Sequence, residues 1–135
     1  MSFIKVQTTI NASLAKVWDC WTLPEHITNW NFASSDWHCP NATNNLVVGG
    51  EFHYTMAAKD NSLSFDFWGT YQNIQIGQYI ESVLGDGRKL KVSFETIGDN
   101  TIVIEEFEPE QQNPPEMEQA GWQMILDNFT KYVTQ

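Results

Sequence analysis

Apolar and polar residues alternate with period two through most of the chain, the signature of half-buried β-strands. Ile4, Val6, Thr8 and Ile10 share one face of a first strand. Phe52, Tyr54, Met56 and Ala58 alternate with Glu51, His53 and Thr55 in a second. In a third, Leu63, Phe65, Phe67, Gly69 and Tyr71 alternate with Ser64, Asp66 and Thr70, and Trp68 breaks the pattern. Ile80, Ser82 and Leu84 make a weaker fourth, and Leu90, Val92 and Phe94 a fifth. Residues Thr101 to Phe107, rich in β-branched side chains, make a sixth. Turn residues separate these runs at Asp60-Asn61, Gly77, Asp86-Gly87 and Gly98-Asp99-Asn100. Asp86-Gly87 predicts a type I′ hairpin, in which both central residues take positive φ. Connections this short make the stretch from Glu51 to Phe107 an antiparallel meander.

The period changes to helical in three places. Ser13 to Thr22 places Leu14, Val17, Trp18 and Trp21 on one side. Pro24 suits the first turn of a second short helix reaching Trp30. After Pro114-Pro115, Met117, Gly121, Ile125, Phe129 and Tyr132 repeat at helical spacing, with Trp122 and Leu126 beside them. Glu116 and Glu118 fall in the first turn, where the helix dipole favours acids. Gly121 is expected to let this helix approach the sheet closely. The stretch Asn31 to Asn45 has weak periodicity and reads as a long surface loop. The order is strand, two short helices, meander, long helix. That is an α+β domain whose apolar sheet face needs a cover, which only the C-terminal helix is long enough to provide.

The 135 residues suit a single domain spanning the chain. Seventeen acids against seven bases give a net charge of −10, which repels nucleic acid and anionic lipid. No apolar run is long enough to span a bilayer, and the start of the chain lacks the pattern of a signal peptide. A cytoplasmic location is therefore expected, with Cys20 and Cys39 both reduced.

Several motifs together resemble the family related to the C-terminal domain of the activator of Hsp90 ATPase, within the START and Bet v 1-like superfamily. They are Val17-Trp18, Trp21-Thr22-x-Pro24-Glu25-His26-Ile27-x-x-Trp30, Gly49-Gly50-x-Phe52-x-Tyr54-x-Met56, Phe65-x-Phe67-x-Gly69-x-Tyr71, Asp86-Gly87-Arg88 and Gly121-Trp122-x-x-Ile125-Leu126-Asp127-Asn128-Phe129. The resemblance implies a helix-grip fold, a curved antiparallel sheet wrapped around the long helix, with a cavity between them. Superfamily relatives carry lipids, sterols or polyketides, and some cyclise or hydrolyse them. The Hsp90 activator itself uses an additional N-terminal domain to stimulate its chaperone. This chain has no room for that domain, so it is not expected to stimulate Hsp90 alone.

The residues themselves offer no acid–base pair, nucleophile elbow, zinc-protease motif or phosphate loop. No cofactor is implied. Trp37-His38-Cys39-Pro40 places two metal-ligand types side by side, but the pairs at fixed spacing that structural zinc requires are missing. His26 reads as a surface or capping residue and His53 as a solvated one. Asp66 falls on the face opposite Phe65 and Phe67. Glu105, Glu106, Glu108, Glu110, Glu116 and Glu118 read as a solvated acidic surface. The aromatic residues carry the functional expectation, a small cavity for an apolar or aromatic molecule. Trp30, Phe32 and Trp37 are expected at its mouth, and Tyr54, Phe67, Tyr71 and Trp122 in its interior. A protein-interaction domain and a cyclase- or hydrolase-like enzyme are the alternatives, with the chain a monomer or homodimer.

Overall fold

The computed structural model describes residues 3–135. Its elements are β1 (Ile4–Ile10), α1 (Leu14–Thr22), α2 (Pro24–Ile27), β2 (Trp37–Asn44), β3 (Glu51–Ala58), β4 (Ser64–Gln75), β5 (Tyr79–Leu84), β6 (Lys89–Ile97), β7 (Asn100–Phe107) and α3 (Pro115–Val133). The strands form one sheet in the order β1-β7-β6-β5-β4-β3-β2, with every neighbouring pair antiparallel. The sheet curls into a half-barrel around α3, which is the helix-grip fold. Register shifts in β2 between His38 and Asn41 and in β4 between Tyr71 and Asn73 add to the bend.

The local chemistry explains the element ends. The Ser13 hydroxyl caps α1 by accepting from the Lys16 amide at 3.2 Å. Pro115 opens α3, where its missing N–H costs nothing. Asn61, Gly77, Gly87 and Gly98 take positive φ at the tips of turns. The β5–β6 turn is not type I′, because Gly87 has positive φ and Asp86 does not. Instead the Asp86 carboxylate accepts from the Arg88 amide at 3.1 Å, and the Leu84 amide closes the loop onto the Arg88 carbonyl.

The expected surface loop Asn31 to Asn45 is in large part β2, an edge strand paired with β3 from Trp37 to Asn44. Pro40 and the bulge beside it disrupt its alternation, which hides the strand from a period-two reading. Cys39 is buried in this strand and Cys20 in α1, both as free thiols.

One half of the half-barrel is filled. Helix α3 packs against β1 and α1. The Gln119 and Gln123 amides donate to the Lys5 and Gln7 carbonyls at 3.0 and 3.1 Å, which covers the exposed edge of β1. Phe129 is fully buried among Trp21 and Trp30, whose ring centroids lie 4.9 and 4.7 Å away. Leu126 and Val133 continue this seam. Gly121 does not bring helix and sheet together. A Cβ added there would meet nothing within 4 Å, because on that side α3 stands away from the sheet. Gly121→Ala should therefore stabilise the protein by about 0.5–1 kcal/mol, through helix propensity without a clash. Denaturant unfolding checks this.

Candidate functional site

Where α3 stands off, a cavity of about 440 Å³ opens between it and the concave face of β3 to β7. That size suits a small organic molecule. Its floor is built by strand parity. Phe52, Tyr54, Tyr71, Ile80, Val92 and Glu105 all project from the concave side of consecutive strands. Gly69 leaves room for the Phe52 ring, which would lie 2.8 Å from an added Cβ. Trp122 on α3 forms the roof, stacked on Phe107 at 3.8 Å between centroids and edge-on to Phe67 at 5.8 Å.

Of the residues expected at the site, Trp30, Trp37, Tyr54, Phe67, Tyr71 and Trp122 line this cavity and Phe32 does not. Asn31 and Ala33 on either side of Phe32 line the cavity. Trp30 is an inner wall rather than a mouth residue. It is buried, its indole N–H donates to the Cys20 carbonyl at 2.9 Å, and its ring stacks on Trp21. The rim is formed by Trp37 on β2 and Phe65 on β4, which meet edge to face at 6.0 Å. Phe65 is 53% exposed.

Polar groups enter this apolar chamber at few points. The Tyr71 hydroxyl donates to the Asn44 side chain, and the Asn44 amide donates to the Thr22 carbonyl at 2.7 Å. Burial pushes the Tyr71 phenol up to about 12, against the lowering effect of its hydrogen bonds. Burial also raises the Tyr54 phenol well above its usual value, with Tyr71 and Glu105 adding to the rise. Asn31 is buried, and its amide nitrogen has no hydrogen-bond partner among the described residues. At one end the Arg88 guanidinium pairs with Glu118 on α3, donates to the Glu108 carbonyl at 3.2 Å and holds Asp86 at 2.7 Å. Glu118 also accepts from the Glu110 amide at 3.0 Å, so this cluster fastens the start of α3 to the β5–β6 turn.

The acidic stretch is therefore not all solvated surface. Glu118 is buried and ion-paired, and Glu105 is 6% exposed on the cavity wall. Burial alone pushes the Glu105 carboxyl up to about 8. Reading the sequence missed Glu105 because β7 is apolar on both faces. Ile102 and Ile104 face outward while Thr101, Val103, Glu105 and Phe107 face inward, so alternation does not say which face is concave. Only pairing with the plainly amphipathic β6 settles it: Val92 lies opposite Glu105 and Phe94 opposite Val103.

On the convex face His53 lies between Asp66 at 2.7 Å and Glu51 at 2.8 Å and stacks on Trp68. The Asp66 hydrogen bond, then that of Glu51, raises the histidine pKa. Both ring nitrogens are held by carboxylates, so neither is free to activate a hydroxyl or thiol. His26 hydrogen-bonds the Tyr132 hydroxyl away from the cavity lining. Among the described residues no cluster of metal-ligating side chains occurs. No helix among them is long and apolar enough to cross a membrane.

The model of the family described as activator of Hsp90 ATPase homolog 1-like protein matches residues 11–134. The solution structure of an AHSA1-like protein from Aeromonas hydrophila is 42% identical, with a TM-score of 0.89 over 96% of this chain and 92% of that one. The solution structure of Chr148 from Cytophaga hutchinsonii is 48% identical, with a TM-score of 0.85 over 96% and 90%. CalU16 from Micromonospora echinospora shares the fold at 18% identity, with a TM-score of 0.68 over 96% of this chain and 74% of that one. No curated protein matches the chain.

Proposed function

The chain belongs to the family of activator of Hsp90 ATPase homolog 1-like proteins, and from that premise we propose that it is a binding domain for an apolar or aromatic small molecule. One observation carries this reading: the cavity of about 440 Å³ between α3 and the sheet, walled by aromatic rings with a few polar groups among them. A folded domain that had no use for the space would fill it, since voids forfeit dispersion contacts and each missing methylene costs stability. Phe65, exposed and in contact with Trp37 on the cavity lining, gives a ligand a way in. The acid–base geometry supports binding over catalysis, because the one histidine held by two carboxylates lies on the opposite face of the sheet.

Phenylbutanol, a neutral aromatic alcohol small enough for the cavity, is a suitable probe. It should raise the unfolding midpoint of the native protein in a concentration-dependent way. It should have little effect on Gly121→Leu, whose new side chain would project into the cavity from α3. Failure to bind the native protein, or equal binding to the filled variant, would remove the cavity as the site.

A further inference from the structure

Glu105 is an unusual choice for its position. Its backbone neighbours across the sheet are Val6 on β1 and Val92 on β6, and both are buried. A valine or isoleucine there would continue the apolar row, whereas a buried carboxyl costs several kcal/mol when ionised without a partner. No hydrogen bond or ion pair among the described residues offsets that cost, and burial raises its pKa. The one cation among the lining residues, Arg88, is already held by Asp86 and Glu118. The described residues thus supply no cation for an ionised Glu105, and one that enters the cavity would find the carboxyl unpaired.

We propose that the cavity takes a hydrophobic amine, an aromatic or alkyl body carrying one protonated nitrogen that pairs with the Glu105 carboxylate. This rests on the cavity-binding reading and specifies the chemistry of its ligand. The surrounding rings favour a cation over a neutral group, since Tyr54, Phe67 and Trp122 line the same chamber and their π-faces attract ammonium. The net charge of −10 draws cations toward the protein and disfavours anions. Glu110 in the cavity wall acts in the same direction.

Proton balance follows from the burial. In the empty cavity near neutral pH the carboxyl holds its proton. An entering ammonium keeps its own proton and displaces that of Glu105 to solvent, leaving a carboxylate–ammonium pair. Binding therefore releases up to one proton and tightens as pH rises through the titration of Glu105. The other titratable groups lining the chamber are Tyr54 from β3, Tyr71 from β4, Arg88 from the β5–β6 turn, Glu110 before α3 and Glu118 on α3. Both tyrosines stay protonated across that range, and Arg88 and Glu118 neutralise each other. The elements beside Glu105 present only Val6 and Val92.

Calorimetric titration of phenylbutylamine, phenylbutanol and phenylbutyrate into the native protein and Glu105→Gln separates the possibilities, because the three probes share one body and differ in charge. The native protein should bind the amine at least about tenfold more tightly than the alcohol, in line with a charge-assisted pair, and bind the acid most weakly. Runs in two buffers of different ionisation enthalpy should report proton release for the amine alone. In Glu105→Gln the preference for the amine and its proton release should both vanish while the alcohol still binds. If the alcohol binds the native protein as tightly as the amine, or the variant keeps the preference, the amine assignment is wrong and the cavity reading stands. If none of the three binds, both fall.

Discussion

Glu105→Gln should abolish most of the fall in stability that the native protein is expected to show between about pH 4.5 and pH 8. The folded state keeps the Glu105 proton to about pH 8, while the unfolded chain loses it near the ordinary value of 4.5. Between these values the folded state binds more protons, so unfolding becomes easier as pH rises. This group's contribution is fully present below pH 4.5 and gone above pH 8. A tenfold change in proton affinity is worth about 1.4 kcal/mol, so the native protein should lose on the order of 3–5 kcal/mol across the window. Gln keeps the shape of the side chain without the charge. Urea unfolding of both proteins at several pH values checks this, and parallel curves for native and variant protein would show that Glu105 is not desolvated.

Arg88→Met should destabilise the protein by about 3–5 kcal/mol, because it removes the cation from a buried ion pair. The Glu118 side chain is only 5% exposed, and without Arg88 it keeps a single hydrogen bond, from the Glu110 amide. The cost comes from the charge left behind, so replacing both partners, Arg88→Met with Glu118→Leu, should recover most of the loss. A double variant as unstable as the single one would mean that the cluster's hydrogen bonds to Glu108 and Glu110, and not the stranded charge, hold α3 to the β5–β6 turn. Chemical denaturation of the native protein and the two variants decides between them.

Much of the fold was legible in the sequence because it follows from local rules. Alternation marks β1 and β3 to β6, since a strand with one wet face and one dry face must repeat every two residues, and β-branched residues mark β7. The helical spacing of Leu126 and Phe129, with Pro115 at its start, marks α3. Six of the seven residues expected at the site line the cavity; for Tyr54, Phe67 and Tyr71 the reason is local, because ring-bearing positions of one parity on neighbouring strands share a face.

What stayed hidden depends on contacts between residues distant in sequence. Strand β2 exists because β3 offers it an edge to pair with, and its own pattern, interrupted by Pro40 and a bulge, does not announce it. Glu105 and Glu118 read as surface acids beside Glu106, Glu108 and Glu110, and nothing local separates the two sets. Glu118 is buried because the β5–β6 turn carries Arg88 to it across thirty residues of chain. Glu105 is buried because β7 lies between β1 and β6 with that parity inward. Hydrophobic period alone marks β1, β3 to β6 and α3, since it is a property of neighbours along the chain. The tertiary structure decided where the helix leaves the sheet, and so which carboxyl faces an empty chamber and which meets a guanidinium, since desolvation and charge pairing depend on neighbours in space.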